Sequence, residues 1–473
     1  MTYTKTDTEL ISHLARRAGF GATREELAEY TDIGYEATVE RFLTETSTEH
    51  IPDDLIFRRF QDIHAQQGAT AAYWGYRLIS TTNPLEEKIT IFWHGVFATG
   101  NSKLNNIGSI INQISMFRNM GLGKFDDLLL EIAKDPAMIF WLDNDQNHHG
   151  SINENFGREI LELFSMGVGN YTEEDIKECS RAFTGWTVHN SEYMALMAQS
   201  DSIWPYGRIF WHHEFRPDDH DNGNKTFLGE TGPLGGEDVV QIISRQLATA
   251  RFIARHLYNF FVSDEVPVPQ WDLTPPKDPA AIEILANAYL ENDHDIQAVL
   301  RILFNSEFFK ESRWQRVKSP TDVVIGTLRK TGQWQTPDGG DIGIYNAMNE
   351  SGFMGQLLLW PPSVEGWHSG EEWITTGSLV DRVNFTSSHL TNLKHPGVEK
   401  LVNEVLTLTN GTGGDTQTVN VCLQVLDQGF VYANTRQQLE RIASENNGTG
   451  IASKECILKI FRAIVSSREY QLC

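Results

Sequence analysis

The chain has 473 residues, of which 63 are acidic and 39 are basic, so its formal net charge is −24 at pH 7. A general nucleic-acid-binding protein needs a basic surface to meet phosphates, and this charge excludes that class. Hydrophobic residues make up 40% of the chain and charged residues 22%, which is ordinary globular composition and excludes a largely disordered chain.

The N-terminal residues lack the basic stretch followed by an apolar stretch that marks a secretory signal. No segment offers the ~18 uninterrupted apolar residues that a membrane helix needs. The four cysteines are far apart and form no CxxC pair, so neither a zinc knuckle nor a redox pair is predicted. We therefore expect a soluble, cytoplasmic protein without a membrane span.

Helical periodicity runs along most of the chain, and no stretch shows the repeated alternation of a sheet protein. Thr23 and Glu26 form a capping box that opens a helix, and Asn83 begins a long helix that continues to Phe97. Further helices are predicted at 124–134, 155–166, 173–183, 236–261, 279–292 and 295–304. The predicted fold class is mainly α, a large multi-helix body with long irregular Trp/His/Asp-rich loops and little or no sheet.

Two changes of composition suggest how the chain is organised. The region from about 188 to 236 is rich in Trp, His, Asp, Gly and Pro, which indicates a long loop insertion, and loops of that length are commonly functional. Residues 407–418 form a Gly/Thr-rich linker within the C-terminal part. We predict a helical body over residues 1–390 that carries the insertion, and a helical C-terminal tail over residues 391–473.

The first cluster with catalytic potential pairs His94 with Glu87. Positions seven residues apart lie about 20° apart on a helical wheel, here opposite an apolar arc. A carboxylate on the same face can orient an imidazole or raise its basicity, which suits a general base or a metal ligand. In the alternative interpretation, His94 caps a helix end or lies on a wet surface.

The second cluster lies on the helix that begins near Asn155. Its polar arc holds Asn155, Arg158, Glu159 and Glu162. The two glutamates are one turn apart, with about 5–6 Å between Cβ atoms, which suits a shared metal or an acid and a base with separate pKa values. Residues 141–180 hold nine acids against two bases, a density that raises carboxylate pKa values and attracts cations. The alternative is a solvated face stabilised by an Arg158–Glu162 pair.

The third cluster lies in a turn-rich segment that begins at Trp211. Three His, three Asp, one Glu and one Lys fall within fifteen residues, the densest set of ligand-type side chains in the chain. His220 and Asp221 would act as a polar dyad or hold a divalent metal, but no HExxH or paired-Cys signature accompanies them. A structural loop held by hydrogen bonds is the alternative.

The absence of other motifs narrows the choice of chemistry. There is no Walker A loop, no GxGxxG after a strand and no GxSxG elbow, so nucleotide binding and α/β-hydrolase chemistry lose their usual support. Several Trp residues lie in Pro/Gly/His-rich, non-periodic surroundings: Trp204, Trp211, Trp360 and Trp367. Their faces could line a sugar-binding groove, although core packing is the alternative for any single Trp.

Eight motifs, in this order, resemble the bacterial family catalogued as domain of unknown function 1800. They are HLARRAGFGAT (13–23), FWH (92–94), DPAM (135–138), NEN (153–155) with RE (158–159), GVGNYT (167–172), RAFTGW (181–186), HDNGNKTFLG (220–229) and PPSVEGW (361–367). The resemblance covers about residues 7–390. It implies that members are often exported and are encoded beside a sulfatase-like family, which suggests work on envelope or extracellular polymers.

We expect a hydrolase or related enzyme that acts on a polymeric, carbohydrate substrate. Its predicted catalytic residues are His94, Glu159, Glu162, His220 and Asp221, with His94, His220 and Asp221 also as metal ligands. Its predicted substrate-binding residues are Asn153, Asn155, Arg158, Lys225, Trp186, Trp211 and Trp367. The first alternative is a non-enzymatic scaffold or partner of an envelope-processing enzyme, such as a sulfatase-like protein; the second is a metal-dependent oxidoreductase.

Overall fold

The computed structural model describes residues 5–46, 67–104, 106–190, 211–334, 342–409, 414–446 and 453–473. These residues form 23 α-helices and two antiparallel sheets of two strands each. The prediction of a mainly α fold with little sheet is therefore confirmed. Trp204 and much of the predicted insertion lie outside the described residues.

The helices of the first half of the body are short. They are α1 (Lys5–Arg17), α2 (Arg24–Ile33), α3 (Tyr35–Thr44), α4 (Gln67–Ser80), α5 (Pro84–Val96), α6 (Asn101–Leu104), α7 (Ile107–Met120), α8 (Phe125–Lys134), α9 (Pro136–Trp141), α10 (Asn155–Glu162) and α11 (Glu173–Ala182). Four strands lie in or just before the predicted insertion at about 188–236: β1 (Trp186–His189), β2 (His212–Phe215), β3 (Lys225–Phe227) and β4 (Glu230–Gly232). Strand β1 pairs with β2, and β3 pairs with β4.

The second half of the chain returns to helices only. They are α12 (Gly236–Ser244), α13 (Leu247–Phe261), α14 (Pro279–Glu291), α15 (Ile296–Asn305), α16 (Glu307–Lys310), α17 (Pro320–Thr331), α18 (Ile342–Phe353), α19 (Thr376–Leu390), α20 (Pro396–Leu408), α21 (Asp415–Val425), α22 (Ala433–Asn446) and α23 (Lys454–Val465). No described helix is long and apolar enough to cross a membrane.

Local signals set the starts of several helices as the sequence predicts. The capping box is present at α2, where the Thr23 side chain accepts from the Glu26 backbone and Glu26 returns a carboxylate to the Thr23 N–H. At α5, the Asn83 side chain accepts from the Leu85 N–H and Pro84 takes the first helical position. Both predictions are confirmed.

Two buried apolar clusters organise the packing. The larger one runs from Ile11 to Phe385, and the smaller one lies between Leu390 and Tyr470 in the C-terminal helices. The last residues of the chain return to the body, because Leu472 forms a β-bridge with Val317. The C-terminal bundle is thus joined to the body at both of its ends.

Helix α5 is buried on almost every face, which its polar residues do not suggest. Glu87 is buried and accepts from the Arg118 guanidinium at 2.5 Å and from the Trp74 indole at 2.7 Å. Lys88 is buried and forms an ion pair with Asp322. The expected wet face of α5 therefore packs against neighbouring helices, with each charge paired as buried charges require.

Helices α10 and α11 approach closely at Gly157. A Cβ atom at this position would overlap the Ser180 hydroxyl and lie 3.0 Å from the Ile176 carbonyl. Only a glycine leaves room for this contact. The contact fixes the orientation of α10, the helix that carries Glu159 and Glu162.

Candidate functional site

The acidic pair on α10 lies beside a third carboxylate from far along the chain. Glu159 is half-buried, and its Oε2 atom has no hydrogen-bond partner among the described residues. Burial, together with the charges of Glu162 and Glu365, raises the pKa of Glu159 to about 7. Glu162 accepts a hydrogen bond from the Tyr171 hydroxyl at 3.1 Å. Glu159 therefore holds its proton up to about neutral pH.

A cleft of about 770 Å³ opens directly beside Glu162. Its walls come from the turn after α10, from α13 and from the Pro-rich segment before α14. Val168 and Leu247 present exposed apolar surface in this cleft, and Glu365 lies at its edge. Its volume falls in the range of small-molecule and substrate sites in proteins, about 300–1,000 Å³.

Trp271 forms an aromatic wall of the cleft, and its neighbours hold its ring in place. The Trp271 ring contacts His256 at 4.6 Å and Phe252 at 5.4 Å between centroids, and the Arg255 guanidinium lies 4.6 Å above its ring. Its indole N–H donates to the Val266 carbonyl at 2.7 Å. A fixed indole face of this kind is suited to stacking on apolar faces of a ligand.

The two arginines that line the cleft are already engaged in ion pairs. Arg251 forms a two-bond pair with Glu283, at 2.6 and 3.1 Å. Arg255 donates twice to the buried Glu265, at 3.1 and 2.7 Å. The cleft therefore offers no unpaired arginine to an anionic ligand, and its uncompensated charge is negative.

A second cleft, of about 260 Å³, continues the first. Val268, Pro269 and Glu365 line both clefts, and the second one adds Trp367 and Trp373. We use the name "long groove" for the two clefts together. Glu162 and Glu365 thus lie on one continuous concave surface with the rings of Trp271, Trp367 and Trp373.

His94 supports the segment that carries Glu365 and Trp367. It is fully buried, and burial lowers its pKa to about 3, so the ring is neutral. Its Nε2 atom accepts from the Leu359 N–H at 3.1 Å, and its ring lies 5.0 Å from that of Trp367. The interpretation of His94 as a residue on a wet surface is therefore wrong. Glu87, which was expected to orient His94, accepts hydrogen bonds from Trp74 and Arg118.

Asn153 and Asn155 hold a backbone turn. Asn153 donates from its side chain to the Asp143 carbonyl at 3.2 Å and accepts from the Asn155 N–H at 3.0 Å. The Asn155 side chain donates to the Leu142 carbonyl at 3.1 Å. Both amides therefore attach the start of α10 to the residues that follow α9.

Arg158 forms its ion pair with a residue of α11 and not with the expected partner Glu162. It forms a two-bond ion pair with Glu173, at 3.1 and 2.8 Å, and a weaker contact of 3.8 Å with Glu154. Arg158 thus pairs with Glu173 and not with Glu162, as the alternative interpretation had it. Glu162 accepts a hydrogen bond from Tyr171 and lines the cleft.

The His220–Lys225 segment is held against α11 by a cluster of hydrogen bonds and ion pairs, called the Arg181 cluster below. Arg181 donates to Asp221 at 2.7 and 3.2 Å and to both oxygens of Glu178 at 2.8 Å. Hydrogen bonding from Arg181 lowers the pKa of Asp221 to about 2. His220 donates through Nδ1 to the Thr184 carbonyl at 2.9 Å. The segment therefore has the contacts of the structural loop that the sequence left as an alternative.

Lys225, Trp186 and Trp211 are also engaged in packing. Lys225 is buried and donates to the carbonyls of Asp221 and Gly223, at 2.5 and 3.2 Å. Trp186 is buried against Phe183 and His213, with centroid distances of 5.0 Å in each case. Trp211 packs edge-on against Phe140 at 5.1 Å. Of the predicted substrate-binding tryptophans within the described residues, Trp367 is the one that lines the groove.

The model of the family described as "Protein of unknown function (DUF1800)" matches residues 13–472. The chain belongs to the DUF1800 family. The match includes the C-terminal helices, which the sequence motifs do not cover. No curated protein and no solved structure matches this sequence.

The metal hypothesis finds no ligand set in the part of the chain that the structure describes. Within it, no group of three or more His, Cys, Asp or Glu residues is placed to hold a metal ion. His94 is buried beside Trp367, whereas His220 and Asp221 lie in the Arg181 cluster against α11. The three predicted ligands of this DUF1800 chain therefore have separate surroundings.

Sequence reasoning missed three residues of the site: Glu365 and Trp271, which line the groove, and Tyr171, which donates to Glu162. Two of them lie inside the motifs of the family resemblance, since Tyr171 belongs to GVGNYT and Glu365 to PPSVEGW. Trp271 lies in the Pro-rich break before α14, where non-periodic surroundings were the available signal. Tertiary contacts, which sequence periodicity does not record, bring each of them to the site.

Replacing Arg181 by alanine is expected to destabilise the fold by roughly 2–4 kcal/mol, because two poorly exposed carboxylates lose their shared partner. Urea unfolding would measure the change. Arg216→Ala is the matched control, since Arg216 is exposed and, among the described residues, forms its ion pair with Glu214 at 2.7 Å, and its expected effect is below about 1 kcal/mol. Equal losses of stability in the two variants would contradict a structural role for the Arg181 cluster.

Proposed function

We propose that this chain is a hydrolase that cleaves a polymeric carbohydrate in the long groove. The observation that carries the proposal is Glu159, a carboxylic acid with a pKa of about 7, beside Glu162 and Glu365, which line a large cleft. Pairs of titratable groups whose surroundings separate their pKa values mark acid and base assignments. The proposal leaves out His94, His220 and Asp221, because their contacts are structural.

In the proposed reaction, Glu159 acts as the general acid. Its proton passes to the glycosidic oxygen as the bond between that oxygen and the anomeric carbon breaks. A water molecule forms the new bond to the anomeric carbon, and Glu162 or Glu365 takes its proton. Tyr171 orients Glu162 through the 3.1 Å hydrogen bond to its Oε2 atom. A second proton exchange with solvent restores the acid.

The substrate would be held by its apolar faces and by hydrogen bonds. Trp271 and Trp367 offer indole surface along the groove, and Val168 and Leu247 add exposed apolar surface at its rim. Sugar rings present apolar C–H faces that stack on indole. Because Arg251 and Arg255 are held in ion pairs, we favour an uncharged glycan over an anionic one.

A polysaccharide-digestion screen tests the proposal. Wild-type protein is incubated with neutral, acidic and amino-sugar polymers, and newly formed reducing ends are counted. We expect release from a neutral polymer, a loss of about 10²–10⁴-fold in Glu159→Gln, and unchanged release in Glu174→Gln. Glu174 is the matched control because it is exposed on α11 and pairs with Lys177. Equal rates in both variants, or no release from any polymer, would overturn the proposal.

A non-enzymatic scaffold is the second candidate function. It is favoured by the contacts of Asn153, Arg158 and the His220 segment, all of which join helices or turns. Such a scaffold would support an envelope-processing partner such as a sulfatase-like protein. The open groove lined by Glu162 and Glu365 favours the hydrolase, since a carboxyl group with a raised pKa next to a cleft is typical of a functional site.

A further inference from the structure

A small cavity lies where the C-terminal bundle meets the body, separate from the long groove. Its volume is about 40 Å³. Its charged lining residues are Arg16 of α1, Lys318 before α17, Lys330 within α17, Asp322 and Asp427. The mechanism proposed above uses none of them.

The three cations of this cavity keep unused hydrogen-bond donors. Lys318 donates to the Tyr470 carbonyl at 2.7 Å and lies 4.0 Å from the centre of the Tyr470 ring. Lys330 donates to the Leu426 carbonyl at 3.0 Å. An ammonium group has three donors, so each lysine has further donors to offer. The Nε atom of Arg16 is buried and has no hydrogen-bond partner among the described residues.

The carboxylates nearby balance only part of this charge. Asp427 is paired with Arg16 at 2.9 Å, and it also accepts from Ser12. Asp322 is occupied by Lys88 and lies 3.5 Å from Arg316. Among the described residues, neither Lys318 nor Lys330 forms a direct ion pair, and the one carboxylate that acts on both, Asp427, is shared with Arg16.

Uncompensated charge in a buried site is unfavourable. Burial lowers the pKa of Lys318 to about 7, with smaller contributions in the same direction from Lys330 and Arg16 and opposing ones from Cys473 and Asp427. Burial also lowers the pKa of Lys330. A bound anion would supply the missing negative charge and accept from the free donors.

We propose that this cavity binds one small oxyanion, of the phosphate or sulfate class, between Arg16, Lys318 and Lys330. A single water needs about 10–15 Å³ of such space, so the cavity admits a few waters or one ion of this size. A nucleotide or a sugar is too large for it. The three cations come from α1, from the segment before α17 and from α17 itself, and Asp427 and Tyr470 belong to the C-terminal bundle. The anion would therefore lie at the boundary between the bundle and the body.

Thermal unfolding in graded phosphate, sulfate and chloride, at equal ionic strength and pH 6.5, tests this site. For the wild-type protein we expect a saturable rise of the melting temperature with phosphate or sulfate beyond that in chloride, as binding to the folded state requires. Lys318→Met should raise the half-saturating concentration at least tenfold. Lys400→Met is the matched control, because Lys400 is exposed and pairs with Glu25 outside the cavity, and its response should equal that of the wild type.

Three results would overturn the proposal. The first is a rise that does not saturate, which is a general salt effect on stability. The second is the same half-saturating concentration in Lys318→Met and in the wild type. The third is an identical response to all three anions. Lys330→Met serves as the second variant if Lys318→Met does not fold, with the same expected loss.

Discussion

Glu159→Gln is expected to abolish hydrolysis and, at the same time, to make the fold more stable above pH 7. Glutamine keeps the shape of the side chain but has no proton to give to the leaving oxygen, so about 10²–10⁴-fold of rate should be lost. The amide also cannot ionise beside Glu162 and Glu365. Loss of activity with gain of stability is the pattern of a strained catalytic group.

The direction of the stability change follows from the raised pKa. The pKa of Glu159 is about 7 in the folded chain, against an ordinary value of 4.5. The folded state therefore holds this proton more tightly than the unfolded state, and its contribution to stability is complete below pH 4.5. That contribution is lost as the pH rises to about 7, when the ionised carboxylate stays half-buried. Glu159→Gln removes this loss.

Urea unfolding of the wild-type protein and of Glu159→Gln at pH 4.5, 6 and 8 measures the change in stability. A pH profile of the hydrolysis rate measures the change in activity. We expect the stability of Glu159→Gln relative to wild type to grow with pH, and wild-type kcat/KM to fall above pH 7 as the acid loses its proton. Glu174→Gln should show neither change. A stability difference independent of pH would contradict the assignment of Glu159 as the raised carboxyl.

The sequence predicts the features of this molecule that depend on near neighbours. The caps at Thr23 and Asn83 need only three or four residues, and the helical class follows from periodicity. The position of Glu159 and Glu162 one turn apart is also a local fact. For this reason the acidic pair could be singled out before any tertiary contact was known.

The surroundings of His94 and His220 depend on distant parts of the chain, and the sequence patterns do not contain them. A helical wheel places Glu87 and His94 on one face, but it does not report that Arg118 and Leu359 cover that face. The partner of Asp221 is Arg181 on α11, and that pairing arises from packing. In the sequence, polar residues that are buried by tertiary contacts cannot be distinguished from polar residues of an open site.

Gly366→Ala should have the largest effect on the groove among changes outside its carboxylates. Gly366 has φ +82, and a Cβ atom there would lie 2.6 Å from the Gly95 carbonyl, which follows His94 on α5. The left-handed backbone costs alanine roughly 1–2 kcal/mol, and overpacking typically adds about 1–3 kcal/mol. We expect a destabilisation of about 2–5 kcal/mol, measured by urea unfolding, and a shift in tryptophan fluorescence as Trp367 moves.

Gly229→Ala separates the two causes. Gly229 has φ +86, but a Cβ atom there meets no atom within 4 Å, so alanine at this position suffers the backbone strain alone. The excess loss in Gly366→Ala then measures the contact between the Glu365–Trp367 segment and α5. Because that segment carries a carboxylate and an indole of the groove, the same variant should lower hydrolysis at least tenfold while it remains folded. If Gly366→Ala and Gly229→Ala lose equal stability and Gly366→Ala keeps full activity, the packing of this segment on α5 does not position the groove.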